Sequence, residues 1–290
     1  MKTKLYFLMI ACMMILMSFS SDAPQFTIYM IGDSTMANKS LDNGNTERGW
    51  GMVLQDFFNK KDVVISNHAV NGRSSKSFID EGRWQKVLDS LRPGDYVVIQ
   101  FGHNDEKPNA DRHTDPGTTF DANLEKFVNE TRAKGATPIL YNSIVRRIFK
   151  VDSTAVVADD VRSNTFDSTN EGKELIDTHG AYLKSPRDVA AKLNVPFIDA
   201  NQITHDMVQG LGPVKSKKLF MWVAPGVSKA CINGRKDNTH LNIEGAHIVA
   251  GALIEATGRA IPEIGKNINT KELRKWRKML KTFMSEKVKG

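Results

Sequence analysis

From Phe26 onward the chain alternates short apolar runs with longer amphipathic stretches. The runs are Phe26–Ile31, Val63–Asn67, Tyr96–Phe101, Pro138–Asn142 and Val195–Ile198. They are rich in β-branched and aromatic residues and bounded by Gly, Pro, Asp and Asn, which marks buried strands. The stretches near Trp50–Asn59, Arg83–Ser90, Phe120–Lys134 and Gly180–Leu193 carry apolar residues at helical spacing. A helix between successive strands cannot be accommodated by a hairpin. The order β-α-β-α-β therefore predicts an α/β fold, a three-layer α/β/α sandwich around a five-stranded parallel sheet.

This pattern fills most of the 290 residues, with no internal repeat, low-complexity tract or linker. One domain over 22–268 follows, which suits a chain of this length. The first residues stand apart. Lys2 and Lys4, the apolar run Leu5–Met17 and the small-x-small Ser18-Phe19-Ser20 form a signal peptide over 1–21, too short to span a bilayer. Secretion or periplasmic export is the expectation. The residues before Cys12 fit a lipid-anchor site poorly, and no later stretch predicts a membrane helix. After cleavage only Cys231 remains, so no internal disulfide is expected; Cys231 is either a nucleophile or a small buried hydrophobe, and the second is preferred.

The net charge of +7 resembles a nucleic-acid signal until it is located. Lys2 and Lys4 leave with the leader. Lys271, Arg274, Lys275, Arg277, Lys278, Lys281, Lys287 and Lys289 face only Glu272 and Glu286. The body between is near neutral, so no nucleic-acid groove is indicated. In the segment 269–290, Leu273, Trp276, Leu280, Phe283 and Met284 form a helical stripe opposite the basic face. Two roles are open for it, packing on the domain or membrane-surface attachment, and packing is preferred.

Chemistry in an open α/β sheet sits at the carboxyl ends of the strands. The first exit carries Gly32-Asp33-Ser34-Thr35, the second Asn71-Gly72-Arg73-Ser74, and the third Gly102-His103-Asn104-Asp105. Asp237-Asn238-Thr239-His240 precedes a helix near Asn242. Each piece has a plain alternative. Gly, Asp and Ser favour turns, Asn104 can cap a turn, and Asp237 can cap a helix. Together they supply an acyl-transfer set. Ser34 is the candidate nucleophile and His240 its base. Asp237, three residues away in a tight loop, is the orienting carboxylate. The N–H groups of Ser34 and Gly72 and the Asn104 amide are candidate oxyanion donors. Asp33 is expected to brace its own turn; His103, beside Asn104, either enters the site or braces its loop through a hydrogen bond, and bracing is preferred. His68, His113, His179, His205 and His247 suggest no role. No cluster has metal-ligand spacing, and no cofactor is expected. The polar segments Glu106–Thr119 and Val145–Thr178, without strand signals, are expected to rim the site.

The set Gly32-Asp33-Ser34, Gly72, Gly102-His103-Asn104-Asp105 and Asp237-x-x-His240, in that order, resembles the SGNH (GDSL-type) hydrolase superfamily, whose sheet is flavodoxin-like. A finer likeness comes from Gly32-Asp33-Ser34-Thr35-Met36-Ala37, Gly49-Trp50-Gly51, Gly72-Arg73-Ser74-Ser75-Lys76-Ser77-Phe78, Glu81-Gly82-Arg83 and Phe101-Gly102-His103-Asn104-Asp105. These resemble the rhamnogalacturonan acetylesterase branch. The resemblance implies removal of O-acetyl groups from pectic sugars without metal or organic cofactor, with an acetylated poly- or oligosaccharide as partner. The segment 145–178 does not extend the likeness. The alternatives are another acyl chemistry on the same scaffold, such as a xylan acetylesterase, lysophospholipase, thioesterase or acetyltransferase, or a carbohydrate-binding protein without turnover. Polar loops near the site favour sugar over lipid. The oligomeric state is not indicated.

Overall fold

The computed structural model describes residues 24–150 and 174–285. The leader, Cys12 and residues 151–173 of the polar segment lie outside the described residues. Among the described residues nine strands run in chain order: β1 (Phe26–Gly32), β2 (Val63–Asn67), β3 (Tyr96–Gln100), β4 (Thr137–Tyr141), β5 (Phe149–Lys150), β6 (Glu174–Leu175), β7 (Phe197–Ile198), β8 (Phe220–Val223) and β9 (Arg235–Leu241). The α-helices are α1 (Ser75–Asp80), α2 (Arg83–Leu88), α3 (Thr119–Ala133), α4 (Ala181–Leu193), α5 (Ala200–Lys215), α6 (Ile243–Ala260), α7 (Pro262–Asn267) and α8 (Thr270–Ser285).

Strands β2-β1-β3-β4-β7 form one parallel sheet in that spatial order. Successive side chains of β1 point to opposite faces. Ile28 and Met30 join one core cluster, with Trp50, Leu54, Tyr141 and the apolar side of α6. Tyr29 and Ile31 join the other, with Phe78, Trp84, Phe120 and Phe127 from α1, α2 and α3. Burial on both faces is why β1 and β3 read as continuous apolar runs rather than alternating ones. The order of the strands reverses at β1. β2 lies on one side of it and β3 on the other, with Gly32 paired to Gln100 where both strands end. A crevice at such a switch point, outside the carboxyl ends, is the usual ligand site of this architecture.

Helix α8 packs on α6, with Trp276 and Phe283 buried and Trp276 Nε1–H donated to Ile248 O at 3.1 Å. No helix among the described residues is long and apolar enough to cross a membrane.

Several expectations need correction. Trp50–Asn59 is not an α-helix but a 3-10 helix over Trp50–Phe57. Its ends are fixed, by Trp50 N–H to Thr35 O at 2.9 Å and by the Phe58–Ile268 bridge. A 3-10 helix rises about 2 Å per residue against about 1.5 Å, so the same residues reach farther between fixed points. The strand expected over Val195–Ile198 shrinks to Phe197–Ile198. Pro196 has no N–H and contributes only its carbonyl, which accepts from Leu140 N–H. Segment 145–178 is not strandless, since β5 and β6 pair antiparallel across it. Asp237 and His240 sit not in a tight loop but on β9, paired antiparallel with β8. That strand reads Arg-Lys-Asp-Asn-Thr-His-Leu and has no apolar alternation to betray it. Cys231 is half-buried rather than a core residue.

Candidate active site

The turn after β1 is built from within. Asp33 Oδ1 accepts Thr35 N–H at 2.8 Å and Thr35 Oγ1–H at 2.7 Å, and Asp33 O accepts Ala37 N–H at 3.0 Å. Ser34 stands at the head of this turn, 7% exposed. A buried polar chain supports it from below. Trp50 Nε1–H donates to Gln100 Oε1 at 2.8 Å, and Gln100 Nε2–H donates to Thr35 Oγ1 at 2.9 Å. Gly49 must be a glycine here, because a Cβ would lie 2.3 Å from Ala37 O. Burial pushes the Asp33 carboxyl up from its ordinary value, against the two Thr35 bonds.

Strand β9 delivers the second half. His240 Nε2 lies 2.9 Å from Ser34 Oγ across 206 residues of sequence. His240 Nδ1 lies 2.8 Å from Asp237 Oδ2. Asp237 Oδ1 accepts the backbone N–H groups of Thr239 at 2.7 Å and His240 at 2.9 Å. Burial pushes the Asp237 carboxyl up, but the His240 and Arg235 contacts outweigh it and hold it well below the usual carboxylate range. An ionised Asp237 takes the Nδ1–H, so the Nε2 lone pair faces the hydroxyl. Such a line can take a proton from the hydroxyl and return it.

Two further turns flank Ser34. Val70 N–H donates to Gly32 O at 3.0 Å, which ties the loop after β2 to the exit of β1. Gly72 follows with φ +74°, a left-handed conformation that favours glycine. Among the described residues no protein acceptor takes the N–H of Ser34 or Gly72. Asn104 donates one amide N–H to Arg73 O at 3.1 Å and keeps a second. Its turn is clamped by Asp105, which accepts from Gly102 N–H (3.0 Å), Ser75 N–H (3.0 Å), Ser75 Oγ–H (2.5 Å) and Thr114 Oγ1–H (3.0 Å).

That clamp corrects the expectation for His103. Neither of its ring nitrogens has a partner among the described residues, and it is 4% exposed. It packs edge-on against His179 with ring centroids 4.5 Å apart. Burial, then His179 and Arg146, push its pKa well below the ordinary histidine value. Asp105 braces the loop instead. His179, given no role above, belongs to a buried cluster with Glu106 and Arg146. His179 Nδ1 is 2.9 Å from Glu106 Oε2, and Arg146 pairs with Glu106 Oε1. Its members come from three distant segments, so no local pattern announces them.

A second cluster without a sequence signal surrounds Asp237. Arg235 Nη2 and Nε reach Asp237 Oδ2 at 2.5 and 3.1 Å, and Arg235 Nη1 reaches Glu47 Oε2 at 2.5 Å. Glu47 Oε1 lies 2.7 Å from Lys39 Nζ. Among the described residues no group of three or more His, Cys, Asp or Glu converges to hold a metal ion.

Residues 30–248 match the model of the GDSL-like lipase/acylhydrolase family. The chain is 34% identical over 238 residues to rhamnogalacturonan acetylesterase RhgT of Bacillus subtilis, covering 82% of this chain and 90% of that protein. It is 31% identical over 232 residues to a rhamnogalacturonan acetylesterase of Emericella nidulans, covering 79% and 84%. Among solved structures it resembles protein YxiM of Bacillus subtilis, with a TM-score of 0.63 at 23% identity over 82% of this chain and 57% of that one. An Axe2 variant, an acetyl xylan esterase of Geobacillus stearothermophilus, aligns with a TM-score of 0.50 at 19% identity over 85% and 98%. These two likenesses speak for the fold alone.

Proposed function

The chain belongs to the GDSL-like lipase/acylhydrolase family, and from that premise we propose that it is an exported carbohydrate O-acetylesterase acting on acetylated rhamnogalacturonan. Residues 1–21 would direct export, 22–268 would make up the catalytic domain, and the segment 269–290, which includes α8, would be its basic C-terminal appendage. The observation that carries the activity is the unbroken line from Ser34 Oγ through His240 to Asp237, with contacts of 2.9 and 2.8 Å. The substrate rests on the relatives, two of which bear that specificity in their names.

In this account His240 Nε2 takes the Ser34 proton as Oγ attacks the acetyl carbonyl. Asp237 holds the ring in the required tautomer and stabilises the imidazolium. The negative charge on the carbonyl oxygen is met by Ser34 N–H, Gly72 N–H and the free Asn104 amide N–H. The C–O bond to the sugar breaks, and the sugar oxygen leaves with the proton from His240. Water then repeats the sequence on the acetyl-serine, releasing acetate and restoring Ser34.

The test is acetate release from acetylated rhamnogalacturonan, acetylated xylan and a lysolipid, compared side by side. The pectic substrate should be turned over fastest. Faster release from xylan or the lipid would contradict the substrate assignment and leave the chemistry standing.

A further inference from the structure

The charged groups behind Asp237 go beyond what an acyl transfer needs. Asp237 Oδ2 accepts from His240 Nδ1 at 2.8 Å and also from Arg235 at 2.5 Å, and Arg235 Nη2 is 3.3 Å from His240 Nδ1. A guanidinium so placed opposes formation of the imidazolium on which the proton transfer depends. Glu47 answers it at 2.5 Å, and Lys39 holds Glu47 at 2.7 Å and Asn71 Oδ1 at 2.6 Å. The Lys39 and Glu47 side chains are 4% and 13% exposed, so this is not a solvent-screened surface pair.

The backbone fixes the partners as well. Glu47 bridges Asn242 antiparallel, and Arg48 N–H donates to Leu241 O at 3.0 Å. The segment carrying Glu47 is thereby paired to the end of the strand that carries Arg235, Asp237 and His240. With His240 neutral, two cations and two anions balance. The Ser34 proton then arrives where these four side chains cancel, with Asp33 at the exit of β1 adding to the field at His240.

We propose that Arg235 and Glu47 are a matched pair of positioning residues: Arg235 holds Asp237 in register with His240, and Glu47 cancels the Arg235 charge so that His240 can take up the proton. The proposal rests on the assignment of Ser34 as nucleophile and His240 as base. The charged and titratable groups facing His240 are Asp33 from the exit of β1, Glu47 from the loop that follows with Lys39 paired behind it, His103 from the exit of β3, and Arg235 and Asp237 from its own strand. Single substitutions at 47 or 235 leave the other groups in place, so their effects compare directly.

The sign of each effect is fixed. Glu47→Gln removes a negative charge, disfavours the imidazolium, and moves the acid limb of the kcat/KM profile to lower pH. Arg235→Gln removes a positive charge and moves it to higher pH. Each shift should be roughly half to one pH unit. The double variant should return near the wild-type midpoint. In both single variants kcat should fall about tenfold while KM for a small soluble acetyl ester changes little. Arg235→Lys keeps the charge but not the fork, so its midpoint should stay while kcat falls.

A merely structural pair would lower activity without moving the two midpoints in opposite directions. Equal midpoints in all variants, or shifts of one sign, would overturn the proposal. If Arg235→Gln does not fold, Glu47→Gln and Arg235→Lys still decide it. Titration of the His240 ring by NMR in the Ser34→Ala background gives the same shifts without turnover. Full activity in Ser34→Ala would instead remove the assignment on which the pair depends.

Discussion

Ser34 and His240 meet at 2.9 Å, yet the two sides of that contact are built from opposite materials. The Ser34 side is a neutral, buried chain running Trp50–Gln100–Thr35 onto the Asp33 turn, rooted in the central strands of a sheet covered on both faces. The His240 side is a two-stranded ribbon with a register irregularity, held by a run of alternating charges from Lys39 to Asp237. Hydrogen bonds inside a core are coupled to global stability, and leaving one unmade costs the desolvation of the orphaned group. Charges at a half-buried rim act on protonation. The proposed nucleophile is therefore placed by folding, and the proposed base is held in a network of charges.

That contrast can be broken in graded steps. Removing the hydroxyl itself should have the largest effect. Ser34→Ala should lower acetate release by roughly 10³-fold or more, with a melting temperature close to wild type. Asp237→Asn should follow, with a loss on the order of 10²-fold, because the amide no longer fixes the tautomer and Arg235 loses its carboxylate. Its stability effect has a definite pH dependence. The folded state holds the Asp237 carboxyl below its unfolded value, so its contribution is present above the ordinary carboxylate range, about pH 4, and is lost as the pH falls. Melting temperatures of the variant and wild type should differ most near neutrality and converge in acid. Gln100→Leu should show the converse pattern. It orphans Trp50 Nε1–H in the core, at a cost of about 1–3 kcal/mol of stability measured by denaturant unfolding, with no change in the midpoint of the pH–rate profile. A shift of that midpoint would erase the distinction between the two sides.

What the sequence exposes follows the same division. The strand–turn signature of Phe26–Thr35 is local, since a buried β-run ending in Gly-Asp-Ser declares both the element and the exit. Gly72, with φ +74°, and the Asn104 turn are legible for the same reason. Trp50, Gln100 and Thr35 are separated by up to 65 residues along the chain, and nothing local in any of them announces their contact. Strand β9 hides because its buried run is Asp237-Asn238-Thr239 and Leu241 is its one apolar residue, so no hydrophobic alternation marks it. Glu47 and Arg235, 188 residues apart, read as ordinary surface charges until the ribbon brings them together. His103 misleads for the opposite reason. Its neighbours predict a bond, but Asp105 occupies the donors of that loop.

The central claim is that Ser34 alone carries the acyl group, activated by His240. The direct measurement is labelling of the purified protein with a fluorophosphonate, followed by peptide mass mapping. The account predicts one adduct, on Ser34, forming at a rate that collapses in His240→Ala. Inactivation with Ser34 unmodified, or an adduct on another side chain, would contradict it.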